Sequence, residues 1–151
     1  MKHLLLILPV FVALASAQLT NVQLAIVNVA AHLDNNDETT KMCLRDTNMT
    51  SDAFSNVVAM LDRPYSTLIN NKDVDKIRGA ACLFTCFEKK EGRVSNSKIQ
   101  LDKVEDWIER ASMSLEMETY YKEMARECII RVKGITDECF MGLEFYKCLL
   151  A

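Results

Sequence analysis

Residues 72–92 read KDVDKIRGAACLFTCFEKKEG. Through this stretch Val74, Ile77, Ala81 and Phe84 recur at helical spacing, while Asp73, Asp75, Lys76, Lys89 and Lys90 take the other face. Gly92 follows where a helix end favours a residue of left-handed backbone, so the stretch predicts a helix over 72–90. Within it Cys82 and Cys86 stand at i and i+4, and both side chains leave the same face. A bridge between them would strain the helical backbone, so each needs a partner on another element.

Four further cysteines, Cys43, Cys128, Cys139 and Cys148, are available as partners. Cys139 and Cys148 are nine residues apart, which at about 100° per residue puts them on opposite sides of one helix. Six cysteines admit 15 pairings, and excluding these two bonds leaves ten open. Zinc is the competing use of the set. The close pair is spaced C-x3-C rather than C-x2-C, however, and one histidine, His32, remains once the first residues are set aside.

Those first residues form an export signal: Lys2, an unbroken apolar run from Leu4 to Leu14, then the small-x-small site Ala15-Ser16-Ala17. Residues 1–17 are expected to be removed, leaving 18–151 as one soluble, secreted domain. The run is shorter than the roughly 20 apolar residues of a membrane span, and no charge-free run of that length follows. Export agrees with an even cysteine count read as a disulfide framework. Loss of Lys2 takes the formal net charge from −3 to −4, with charges mixed along the chain. Nucleic acid is excluded as a partner, since it demands clustered Lys and Arg.

The rest reads as helices joined by short loops, because the processed chain has four glycines and, in Pro64, a single proline. From Thr20 the residues Val22, Leu24, Ile26, Val29 and Leu33 describe a helix that Asp34-Asn35-Asn36-Asp37 interrupts, and a shorter piece over 38–45 carries Cys43. Thr50, Ser51 and Asp52 offer N-cap chemistry to a helix through Phe54, Val57, Val58 and Leu61 that has ended by Pro64. Ser97-Lys98-Ile99-Gln100 matches the capping box and predicts a helix beginning there and running past Trp107 and Ile108. A helix follows from Ser114 to about Lys133, and a last one, capped by Thr136 or Asp137, carries Cys139 and Cys148.

The full pattern Cys43-x38-Cys82-x3-Cys86-x41-Cys128-x10-Cys139-x8-Cys148 resembles that of the insect odorant-binding proteins, the six-cysteine pheromone and general odorant-binding type, in which x3 and x8 are the firmest spacings. The resemblance covers the whole processed chain. The 38-residue gap after Cys43 is longer than most members show, and it falls where the second helix and the Pro64 loop lie. The resemblance implies an all-α fold of about six helices around an internal apolar cavity, cross-linked by three disulfides. The pairing it implies is Cys43 with Cys86, Cys82 with Cys139, and Cys128 with Cys148, one of the ten left open. It further implies a non-catalytic carrier of small hydrophobic molecules, with no cofactor or metal, a chemosensory receptor as downstream partner, and a monomeric or homodimeric state. In the loop-entropy account each bridge constrains the unfolded chain by about 3 to 4.5 kcal/mol, enough to hold helices apart around a void.

Family cavity positions, counted from the cysteines, fall here on Phe84, Tyr121, Met124, Ala125, Phe145 and Leu149. Helical phase adds Val58, Leu61, Ile69, Val94, Leu101 and Ile108. For any one of these, ordinary core packing is the simpler role, so the set carries the argument. Seven methionines outside residues 1–17 suit an interior that adapts to varied apolar guests, or fill gaps as methionine usually does. Tyr120 or Tyr121 is placed to give one hydrogen bond to an alcohol, aldehyde or ester.

Asn48-Met49-Thr50 is an N-glycosylation sequon. His32 titrates between pH 5 and 8 where it serves as a switch, although a solvent-facing histidine is the simpler role. Leu149, Leu150 and Ala151 after Cys148 are too few to fold back into a cavity, as the long tails of some relatives do. Catalysis is disfavoured by one histidine, the absence of a G-x-S-x-G elbow, and oxidised cysteines. A secreted interaction factor of venom, saliva or seminal fluid on the same scaffold is the main rival to a carrier.

Overall fold

The computed structural model describes residues 38–61, 63–111 and 113–150. The export signal expected at 1–17, the helix expected from Thr20 and His32 lie outside the described residues. Seven α-helices run in order among them: α1 Glu38–Asp46, α2 Ser51–Val57, α3 Tyr65–Ile69, α4 Val74–Lys90, α5 Leu101–Arg110, α6 Leu115–Val132 and α7 Glu138–Leu150. A 3-10 turn, Val58–Met60, extends α2, and a two-stranded hairpin, β1 Val94–Ser95 with β2 Lys98–Ile99, separates α4 from α5. The fold is all-α, as expected.

Helix α4 is the centre of the packing. It is laid against α7 and also against α1, α2 and α3. Its buried stripe is Ile77, Ala80, Ala81, Leu83, Phe84 and Thr85, the 3.6-residue period of the sequence translated into contact. It ends in a Schellman turn: the Arg93 N–H donates to the Glu88 carbonyl at 2.9 Å and the Gly92 N–H to Lys89 at 3.0 Å. Gly92 takes φ +74°, a backbone that costs glycine nothing.

The three disulfides radiate from this helix and from α7. Cys43–Cys86 ties α1 to α4, Cys82–Cys139 ties α4 to α7, and Cys128–Cys148 ties α6 to α7. This is the pairing the family resemblance implied. All six cysteines are consumed, so none is left to ligate zinc. Sequence separations of 43, 57 and 20 residues correspond to about 3 to 4 kcal/mol of unfolded-state constraint per bridge.

Around Cys82–Cys139 the two central helices approach with almost no side chain between them. The Cys82 and Cys139 Cα atoms are 4.4 Å apart, and the Thr85 hydroxyl on α4 donates to the Cys139 carbonyl on α7 at 3.0 Å. One turn along α7, Gly142 faces Thr85 so closely that a Cβ there would collide with its hydroxyl. Helix α7 is started by Asp137, whose Oδ1 accepts from the N–H groups of Cys139 and Phe140 at 2.9 and 3.2 Å, while Oδ2 meets Arg78 of α4 at 2.5 Å. Burial raises the Asp137 carboxyl, but Arg78 and the capping N–H groups outweigh it and hold the group below the usual carboxylate range.

Two expectations are corrected. The helix expected from Ser97 begins at Leu101 instead, because Asn96 and Ser97 both take left-handed backbone (φ 51° and 54°) and turn the chain into the hairpin. Gln100, in place of reaching back to Ser97, donates to the carbonyls of Ser95 and Lys98 at 3.0 and 3.2 Å. The Ser97 N–H is taken by Glu138 of α7 at 3.1 Å. The second correction is α3, a short helix started at Pro64 in a segment read as loop.

Two measurements follow. Gly142→Ala should force α4 and α7 apart at the Thr85 contact and lower stability by about 1 to 3 kcal/mol, read as a fall in thermal midpoint with all three bridges intact. An unchanged midpoint would mean that the helices can part freely. Asp137 has a folded pKa below its unfolded value of about 3.9, so its contribution is present above that value and is lost as pH falls through the folded one. Asp137→Asn should therefore narrow the gap to wild type in acid unfolding scans below about pH 4, having been less stable at pH 7.

Candidate interior binding site

The expected site residues come from seven separate segments. Phe84 lies on α4, Ile108 and Leu101 on α5, Tyr121, Met124 and Ala125 on α6, and Phe145 and Leu149 on α7. Val94 belongs to β1, Val58 to the 3-10 turn, and Leu61 follows that turn. Phe84, Ala125, Phe145, Leu149, Leu61, Val94 and Ile108 are buried in one apolar cluster, and Val58, Leu101, Tyr121 and Met124 are half-buried against it. Ile69 stands apart at 40 % exposure. Pro64 breaks the helical phase from which Ile69 was counted, and the short helix α3 buries Leu68 in its place.

The bridges explain how so many elements reach one interior. Phe84 sits between Cys82 and Cys86 in sequence, about half a turn round α4 from both, so it is buried on the side of the helix opposite the two bridges. Phe145 lies three residues before Cys148 and Leu149 one after it, so the Cys128–Cys148 bond holds them against the stretch of α6 that carries Met124 and Ala125. Methionine is divided between interior and surface: Met49 and Met141 are buried, whereas Met117 is 48 % exposed. Tyr120 is exposed and meets Tyr121 edge-on at 5.4 Å, which leaves Tyr121 as the hydroxyl nearer the interior.

At one end of this apolar set lies a polar cluster that periodicity did not reveal. Glu88, in the last turn of α4, is buried, and its carboxylate takes a 2.5 Å hydrogen bond from Arg93 Nε. The same Nε lies 3.1 Å from the hydroxyl of Tyr146 on α7, and the guanidinium rests 5.4 Å from the centre of the Trp107 ring on α5. Tyr146 in turn touches Phe84, Phe145 and Trp107 edge to face, at 5.3, 4.9 and 6.3 Å. Burial is the first cause that pushes the Tyr146 phenol up, and the nearby Glu88 charge adds to it, so the hydroxyl stays protonated. For Arg93 burial works against the charge, and the hydrogen bond and charge of Glu88 reverse it, leaving the guanidinium more firmly protonated than usual. A signal for the cluster was present in the sequence: Glu88 stands four residues after Phe84 on the buried stripe, where a lone carboxylate requires a partner.

Nothing in this arrangement supplies a nucleophile beside a base. Among the described residues no group of three or more His, Cys, Asp or Glu side chains converges on a metal position, and no helix is long and apolar enough to cross a membrane. The interior offers apolar surface from α4, α5, α6 and α7, aromatic edges, and one ion pair at its margin.

The family model described as the PBP/GOBP family matches residues 28–151. No curated protein and no solved structure matches the chain.

The buried pair generates a prediction. Arg93→Met leaves Glu88 charged without its partner, and should cost about 3 kcal/mol, seen as a thermal midpoint lower by about 10 °C. Adding Glu88→Gln should recover part of that loss. A double variant no more stable than Arg93→Met alone would show that the two groups are not coupled.

Proposed function

Because the chain belongs to the PBP/GOBP family, a family of binding proteins, we propose that it is a secreted carrier that takes up small hydrophobic molecules such as odorants or pheromones in its interior and does no chemistry on them. In this reading residues 1–17 direct export, 18–151 form the carrier, and Phe84, Tyr121, Met124, Ala125, Phe145 and Leu149 contribute to the wall, with Val58, Leu61, Val94, Leu101 and Ile108 around them.

The observation that carries the reading is the placement of the bridges. Three cross-links join α1, α4, α6 and α7, and the apolar candidates lie on or beside the bridged segments. Cross-links of this kind stabilise a chain without requiring that its apolar side chains fill all the space between helices. Burying several hundred Å² of an apolar guest at about 25 cal/mol per Å² yields several kcal/mol before the costs of association. Affinity near micromolar then needs no charged anchor.

The test is displacement of a fluorescent hydrophobic probe from the oxidised protein by a panel of volatile and lipid-like compounds. The expected result is probe uptake with a blue-shifted emission, reversed by a subset of the panel at micromolar concentration. Failure of any probe to enter folded, oxidised protein would remove the carrier reading and favour a secreted interaction factor on the same scaffold.

A further inference from the structure

We infer that Asn48 carries an N-linked glycan, attached at the exposed corner between α1 and α2. This rests on the reading that the chain is exported.

The acceptor tripeptide Asn48-Met49-Thr50 occupies the connection between the two helices. Asn48 ends α1 with left-handed backbone, φ 50°, in a second Schellman turn: its N–H donates to Arg45 at 3.1 Å and the Met49 N–H to Leu44 at 3.0 Å. Met49 alone of the three turns inward, buried at 8 % exposure over Gly79 of α4, and this leaves Asn48 and Thr50 on the outside. Among the described residues the Asn48 carboxamide has no hydrogen-bond partner, so a sugar on Nδ2 would displace no contact of the fold. Thr50 spends its hydroxyl on the N-cap of α2, accepting from the Ala53 N–H at 3.1 Å. That bond exists in the folded chain only, and the hydroxyl is free while the chain is being transferred. The timing favours modification as well: Asn48 precedes Cys86 by 38 residues, so the tripeptide emerges before the Cys43–Cys86 bridge that fixes this corner can close. Neither Met49 nor Ser51 is proline, the residue that blocks a sequon.

The step is a substitution without redox change. The Asn48 Nδ2 forms a bond to the anomeric carbon of an oligosaccharide carried on a lipid diphosphate, and the anomeric C–O bond breaks. The lipid diphosphate leaves with that electron pair, and the amide gives up one proton to solvent.

Asn48 and Thr50 also have plain structural duties, as helix end and N-cap, and the variants must preserve them. Asn48→Gly keeps a residue suited to left-handed backbone and Thr50→Asp keeps a strong N-cap, yet each destroys the sequon; Thr50→Ser keeps both cap and sequon. The full chain and these variants are expressed in insect cells, and the medium is treated with peptide-N-glycosidase in heavy-oxygen water. Wild type and Thr50→Ser should shift to higher mobility on treatment, with heavy oxygen found at residue 48 by mass spectrometry. Asn48→Gly and Thr50→Asp should run at the shifted position without treatment. Wild-type protein in the medium with residue 48 unmodified would overturn the glycan and leave export standing. Protein retained in the cytosol and unmodified would overturn both.

Discussion

The spacing of Cys82 and Cys86 constrains everything else in the molecule. Four residues on a helix is about one turn, so the two sulfur atoms leave α4 on one face and a few ångströms apart along its axis. Their partners, Cys139 on α7 and Cys43 on α1, are thereby brought to adjacent heights on the same helix. Helix α4 cannot rotate about its axis without breaking one of the two bonds, and its register fixes which residues turn inward. Phe84, midway between the cysteines in sequence, points to the opposite side of α4, so bridges that hold one face of the helix set the burial of the other.

The two central helices use different means to stay together along their length. Near the start of α7 contact is made through backbone: a disulfide, a hydroxyl donated to a main-chain carbonyl, and a glycine where no side chain fits. Further along, past Gly142, the helices carry Phe84, Phe145 and Tyr146, and the space between them is occupied by large rings. The contrast follows from residue size at the contact, glycine and threonine in one place and aromatic rings in the other.

How much of this was legible in the sequence differs by element. The cysteine spacing and the apolar period of 72–90 identified α4 and the exclusion of a Cys82–Cys86 bond, because both depend on helix geometry alone. The choice among ten pairings was not legible from spacing, since it depends on where α1 and α7 lie in space; family resemblance supplied it. The start of α5 was misread for a related reason. Ser97 and Gln100 satisfy the local capping rule, but Glu138, 41 residues further along, takes the Ser97 N–H and the hairpin takes the Gln100 side chain. Ile69 was assigned by a phase that Pro64 resets, and Glu88 with Arg93 was overlooked because a single polar residue hardly alters an apolar period.

The Glu88–Arg93 pair raises the question of what an ion pair does at the margin of an apolar interior. Taking both charges from water costs several kcal/mol per ion, and a well-packed apolar pair would serve stability at least as well. What the pair adds is direction. Arg93 is the residue after the glycine that ends α4, and its guanidinium is satisfied by Glu88 behind it, Tyr146 across from it and the Trp107 face beyond. Glu88, Tyr146 and Trp107 belong to α4, α7 and α5, and Glu91 adds an ion pair at 3.7 Å, so Arg93 ties the chain leaving α4 to three helices at once. Apolar residues would have permitted the hairpin to slide over the rings beneath it; the paired charges fix it, and with it the angle at which α5 returns across the interior.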